Sequence, residues 1–367
     1  MKLTTTLLAT SAITLAGTAA FADAHMADTM TIVSWGGAYS ASQQGAYHDP
    51  YAANTGITIV NDESSGEAVA KLRAMSEAGN ITWDLVDVEA ADAIRLCDEG
   101  LAIEIDHDEM LAPAADGTSA SEDFGDSIIS DCFIPQIVFS TTVGYRTDMV
   151  GETPPTDICA IFDTTTYPGK RALAKKPLAN VEWALLCDGV AKDDIYEVLA
   201  TPEGQDQAFA KLDTIKDDVI WWSAGAETPQ LLADGEVTMT ITWNGRIFNA
   251  IAQEGQPFGL VWDGQIYDLD LWAIPKGAPN KEAALDFVGF STATEQLAAQ
   301  ASYIPYGPAR KSSIPLIGTY YTDDSIQMID HMPTTEKALK DALQNDYEFW
   351  ADNQDELNER FNSWLAN

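Results

Sequence analysis

Two carboxylates stand among aromatic rings in the stretch VWDGQIYDLDLWAIP, residues 261–275, where Asp268 and Asp270 lie between Trp262, Tyr267 and Trp272. The run reads as a buried β-strand leaving a turn, and a buried carboxylate without a partner is costly. A cation has to offset the charge, either a neighbouring Lys or Arg or one delivered by a ligand. A cation of either origin makes a charge-assisted hydrogen bond to the acid and gains about 0.5–2 kcal/mol from a ring face. Paired acids near Trp also serve glycosidases, with the groups about 5–10 Å apart, and sugars stack on Trp as well, so both remain alternatives. No glycosidase, GxSxG or HExxH pattern accompanies these acids. The four histidines, His25, His48, His107 and His331, form no Ser/His/Asp constellation. EIDHDEM around His107 lacks the spacing and central Gly of an EF-hand loop, and no CxxC occurs. Binding without catalysis, cofactor or metal is expected.

The elements that must position these residues alternate. MTIVSWGGAYS reads as a strand at 31–34 and a glycine turn, followed by a helix that Asn54-Thr55-Gly56 stops. ITIVNDES and WDLVDVEA read as strands, GEAVAKLRAMSEAG and ADAIRLCDEG as helices. Strands alternating with helices mean βαβ units and a mostly parallel sheet. Residues 105–126, polar and small, read as a long surface loop. Strands resume with IVFSTTVGYRT, DVIWWS, VTMTITWN and FGLVWDG, with helices in TPEGQDQAFAKLDTIK and NKEAALDFVGFSTATEQLAAQA. The C-terminal YEFWADNQDELNERFNSWLAN is an amphipathic helix with Phe361, Trp364 and Leu365 on its apolar side. Trp221, Trp222, Trp272, Trp350 and Trp364 are expected to pack.

A chain of 367 residues suits two domains. Its formal net charge of -37 repels nucleic acid and anionic membranes; it favours cationic partners and equally serves solubility. The N-terminus carries Lys2, a short apolar run and small residues around Ala20-Phe21-Ala22 and Ala22-Asp23-Ala24, the pattern of a secretory signal peptide over residues 1–24. A soluble periplasmic protein follows. Its four cysteines allow three disulfide pairings. Cys97–Cys132 and Cys159–Cys187 are preferred, because each closes a local loop; each adds roughly 3–4 kcal/mol of stability.

TIVSWGGAY, WDLVDVEAADAIRLCDEGLAIEID, TTVGYRTD, YPGKRALA, LLADGEVTMTITWNGRIFNAIAQEG and DLDLWAIPKGAPNKEAALDFVGF, in this order and spacing, together resemble the periplasmic spermidine/putrescine-binding proteins of ABC transporters. The resemblance covers nearly the whole mature chain. It implies two α/β lobes joined by a hinge, each a mostly parallel sheet flanked by helices: 25–138 with 274–312, and 139–273 with 313–367. It also implies a monomer that closes on a small-molecule amine such as putrescine or spermidine and docks on a membrane permease.

Matched to the family's pattern, Trp35 is the aromatic after the first strand. The family's Tyr three residues on is Ala38 here, with Tyr39 next. Glu89 ends the third strand, where the family often has Ser. Glu182 matches an acid opening a helix, while a second acid three residues earlier is replaced by Ala179. Trp243 matches the aromatic of WNG and Asp270 the strand acid; Asp268 stands where the family has Trp. Tyr303 and Tyr306 in SYIPYGP border the expected cleft. Arg246 replaces a typically small residue. Guanidinium is the natural fork for a carboxylate, so Arg246 either pairs with a local acid such as Asp268 or Glu227, or makes the ligand a zwitterion, a γ-aminobutyrate-like ω-amino acid or a betaine. The missing acid at 179 likewise argues against a ligand with many amines.

Overall fold

A computed structural model describes residues 28–367; the expected signal peptide lies outside the described residues. The strands are β1 Thr29–Val33, β2 Thr58–Asp62, β3 Leu85–Glu89, β4 Ile134–Arg146, β5 Arg171–Ala174, β6 Val219–Trp222, β7 Met239–Trp243, β8 Phe258–Ala273, β9 Gly307–Pro308, β10 Thr319–Tyr320, β11 Asp323–Gln327 and β12 Leu343–Gln344. Two parallel triplets, β2-β1-β3 and β7-β5-β6, are built from the βαβ pattern of the sequence. Between them run two long antiparallel strands, so a single hydrogen-bonded sheet has the order β2-β1-β3-β8-β4-β7-β5-β6. β10 and β11 form a separate hairpin.

Burial separates two bodies along this sheet. One core gathers Val143 to Ile266 with Leu343 to Phe361 and touches Ala91. The other lobe holds two adjoining clusters, built from residues between Met30 and Ile134 and between Leu271 and Ala309. β4 and β8 pass through both. Their pairing slips where Thr141 faces Ile266 but Val143 faces Val261. The surplus residues of β8 are absorbed near Gly264, whose φ of 84° a side chain would strain, and Gly264 O accepts the Trp183 indole N–H at 3.0 Å. Such a bulge bends a strand, and here it lies inside the second-lobe core, which holds both Val261 and Ile266 on its two sides.

Both expected disulfides form, Cys97–Cys132 and Cys159–Cys187. The C-terminal helix runs Tyr347–Ala366 with Phe361 buried, and Trp364 packs on Trp221 and Phe209. The loop expected over 105–126 is a correction. It contains helices His107–Met110 and Ala120–Phe124. It is anchored by buried Phe124 and Leu111 and by a buried ion pair from Asp123 to Arg310. Capping by Asp106 and Ser119 starts the two helices, which a small, polar composition hides.

Candidate functional site

Trp35 follows β1, Glu89 ends β3, Lys175 and Lys176 follow β5, Trp222 ends β6 and Trp243 ends β7. These are the carboxyl ends of both parallel triplets, the edge where open α/β sheets receive ligands. They line a cleft between the lobes. At its base a narrow chamber with about 10 Å³ of room is walled by Trp35, Tyr39, Glu89, Phe139, Trp243, Arg246, Asp270 and Tyr306. The structure thus brings together seven of the ten residues singled out in the sequence.

The wall is aromatic. Trp35 and Trp243 have ring centroids 6.2 Å apart, Tyr39 and Tyr306 5.4 Å, and Phe139 lies 6.4 Å from both Trp243 and Tyr306. The Asn244 side chain fixes the corner: Oδ1 accepts from Ser140 N at 3.1 Å and Nδ2 donates to Pro305 O at 2.7 Å. Trp243 also needs a glycine beside it, because a Cβ on Gly225 would collide with its ring.

Two ionisable groups of opposite kind, a guanidinium and a carboxyl, face this chamber. Arg246, on helix Asn244–Glu254 of the second lobe, is 3% exposed and stacks 5.0 Å over Trp243. It joins no ion pair among the described residues. Its hydrogen bonds go across the cleft, Nη2 to Trp35 O at 3.2 Å and Nη1 to Gly36 O at 3.3 Å, and its Nε has no partner. The acids that the sequence offered it are engaged elsewhere. Glu227 accepts from the backbone of Ser223 and Ala224. Asp268 accepts from Asn345 Nδ2 at 2.6 Å and Leu269 N at 2.7 Å. Burial lowers the Arg246 pKa, opposed by Tyr306, Asp270, Glu63 and Tyr39; a guanidinium starts high enough to stay charged.

Asp270 lies in the first-lobe half of β8, opposite Glu89 of β3 and Ile137 of β4. It is buried, and among the described residues it joins no ion pair and its Oδ1 has no hydrogen-bond partner. Burial, then the neighbouring Asp87, Glu89 and Asp268, hold its pKa well above the usual carboxylate range. The Trp35 indole N–H lowers the pKa of both Asp87 and Asp270 but closes a hydrogen bond to neither. Glu89 does not cap the helix that follows it; it reaches across the cleft to Lys176 Nζ at 3.6 Å, and Lys176 lies 5.8 Å over Trp243.

Three residues expected at the site lie elsewhere. Glu182 is fully buried and accepts from Trp350 Nε1 of the C-terminal helix at 2.7 Å, and burial pushes its pKa to about 7. Asp268 is turned to Asn345, where burial, then Glu89, push its pKa to about 8. Tyr303 stacks on Tyr321 at 4.5 Å. Phe139, Lys176 and Asp87 were missed. Asp87 carried the same signal as Asp270, an acid inside a strand with no local cation; Phe139 carried none.

Residues 46–334 match the family of bacterial extracellular solute-binding proteins. The chain is 39% identical over 349 residues to a gamma-aminobutyric acid-binding protein of Pseudomonas aeruginosa, covering 95% of this chain and 94% of that one. It is 25% identical over 289 residues to the spermidine/putrescine-binding periplasmic protein of Escherichia coli, covering 77% and 78%. Among solved structures it is similar to the Atu4243 GABA receptor, with a TM-score of 0.76 and 31% identity over 92% of this chain and 98% of that one.

Proposed function

The chain belongs to the bacterial extracellular solute-binding protein family, and from that premise we propose that it captures an ω-amino acid of the γ-aminobutyrate kind between its lobes. Proteins of this family bind small molecules and work with a membrane permease. In this chain the ligand's carboxylate is held by Arg246 and its ammonium by Asp270, with Trp35, Tyr39, Phe139, Trp243 and Tyr306 packing on the alkyl chain. Export to the periplasm by residues 1–24 belongs to the same reading.

The observation that carries it is a buried guanidinium at the chamber wall that pairs with no carboxylate among the described residues. A desolvated cation needs a partner anion, and a bidentate carboxylate fits the guanidinium fork. A diamine would instead set its second ammonium against Arg246. The polyamine expected first from the sequence therefore yields to the zwitterion, in keeping with the 39% identical relative. Calorimetric titration with 4-aminobutyrate, putrescine and a trimethylammonium betaine tests this: the amino acid should bind tightest, and putrescine binding tighter would overturn it.

A further inference from the structure

Behind the aromatic wall stands a carboxylate that this binding scheme leaves unused. Asp87 lies two residues before Glu89 in β3, opposite Trp272, while Glu89 stands opposite Asp270. Opposed residues of an antiparallel pair share a face, so Asp87 and Asp270 are diagonal neighbours, with Cβ atoms about 7–8 Å apart. Asp87 is fully buried. Its Oδ2 accepts from Gln43 Nε2 at 2.6 Å, and Gln43 is itself held by Ser34 Oγ at 2.6 Å and Gln136 Oε1 at 3.3 Å. Asp87 Oδ1, Asp270 Oδ1 and the Tyr39 hydroxyl have no partner.

The charges around the pair can be counted. Tyr39 and Tyr47 face it from the helical run after β1, and burial raises the pKa of both phenols, leaving them neutral. Gln136 comes from β4, Glu89 from β3, Asp268 from β8 and Tyr306 from the loop before β9. Glu89 is matched by Lys176, and Asp268 is satisfied by Asn345 and the Leu269 amide. Arg246 is the remaining cation. Two acids this close and this buried cannot both be ionised beside one guanidinium. Burial, partly offset by the hydrogen bond from Gln43, pushes Asp87 to about 7; burial, then Asp87, Glu89 and Asp268, hold Asp270 well above the usual carboxylate range, with its Oδ1 unpartnered among the described residues.

Resting on the ω-amino acid reading above, we propose that Asp87 and Asp270 hold one proton between them, on Asp270 before the ligand arrives and on Asp87 once the ammonium has docked. The O–H bond at Asp270 breaks, one forms at Asp87, and the ligand keeps all three ammonium hydrogens. Arg246 and the singly protonated pair sum to zero, and a zwitterion leaves that sum unchanged. Asp87 is a positioning residue: it stores the proton that Asp270 must lose and tunes the chamber to a ligand of no net charge.

The test is calorimetry of 4-aminobutyrate binding at pH 6.5 in buffers of different ionisation heat. The wild type should exchange almost no protons. In Asp87→Asn the proton of Asp270 has no acceptor, so binding should release a substantial fraction of one proton, a change that a merely structural role would not produce. Release of about one proton by the wild type, or no difference in a folded Asp87→Asn protein, overturns the proposal. If 4-aminobutyrate does not bind at all, the ω-amino acid reading fails, and the pair is read on ligand-free protein by carboxyl ¹³C NMR of labelled aspartate. One resonance titrating above pH 6 and lost in Asp87→Asn or Asp270→Asn supports the shared proton; both acids titrating below pH 5 overturns it.

Discussion

Replacing Arg246 by Ala separates the two jobs its guanidinium can do. It donates across the cleft to the Trp35 and Gly36 carbonyls, and in the proposed complex it receives a carboxylate. The first job is common to every ligand. Those two hydrogen bonds are long, at 3.2 and 3.3 Å, against a usual 2.9–3.0 Å, so their loss should weaken any closed complex by about 1 kcal/mol in all, below the roughly 1.5–3 kcal/mol usual for a single well-formed bond from a charged donor. The second job depends on ligand charge. Breaking a desolvated, hydrogen-bonded charge pair costs about 2–5 kcal/mol, or roughly 30- to 5000-fold in affinity.

A thermodynamic cycle isolates the second job. 4-Aminobutyrate and 4-aminobutan-1-ol are titrated by calorimetry into wild-type protein and Arg246→Ala. The alcohol should lose less than about tenfold on mutation and the amino acid much more, giving a coupling of at least about 2 kcal/mol between the guanidinium and the carboxylate. Arg246→Lys keeps the charge without the fork and should fall between. Equal losses for both ligands would mean that Arg246 only clamps the lobes, and the zwitterion reading would fall with it.

Four further outcomes are expected. Asp270→Asn should weaken 4-aminobutyrate by about 2–5 kcal/mol in the same titrations. Gly225→Ala should displace the Trp243 ring, which a Cβ there would strike, and lower affinity with little change in melting temperature. In the ligand-free protein, burial raises Glu182 to about 7 and Asp268 to about 8. The folded chain therefore keeps protons that the unfolded chain loses above about pH 4. That stabilisation is complete at lower pH and is lost as pH rises through 7–8, on the order of 3 kcal/mol for Glu182. Melting temperature should fall from pH 5 to 8, and Glu182→Gln should flatten the fall. Reducing the disulfides, whose cysteines are 35 and 28 residues apart, should remove roughly 3–4 kcal/mol for each, seen as a lower denaturant midpoint.

The residues legible in the sequence are those whose position follows from local pattern. Trp35, Glu89 and Trp243 each sit where an apolar run ends, and the carboxyl ends of parallel strands form one edge. What stayed hidden depends on contacts far along the chain. Asp268 and Asp270 carried the same signal, and only Asn345, 77 residues away, removes Asp268 from the site. Glu182 is claimed by Trp350, 168 residues on. Asp87 was read as plain strand, because its burial depends on the helix bearing Tyr39 and Gln43. β8 reads as a short strand broken at Trp262-Asp263-Gly264, yet it continues through the bulge to Ala273, since β4 pairs with it on both sides.

That continuity links binding to closure. Asp270 belongs to the first-lobe half of β8, and Arg246 to a second-lobe helix. A ligand with one charge satisfies one lobe and gains little from closing, whereas a ligand with both charges makes its second ion pair only when the lobes meet. Differential contact of this kind is what shifts an open–closed equilibrium. The contacts of Arg246 with Trp35 and Gly36, and of Lys176 with Glu89, already join the lobes across the cleft. They leave Arg246 Nε and Asp270 Oδ1 unpaired among the described residues, so the protein's own contacts do not complete the closed state; in the proposed complex the two ends of the zwitterion would.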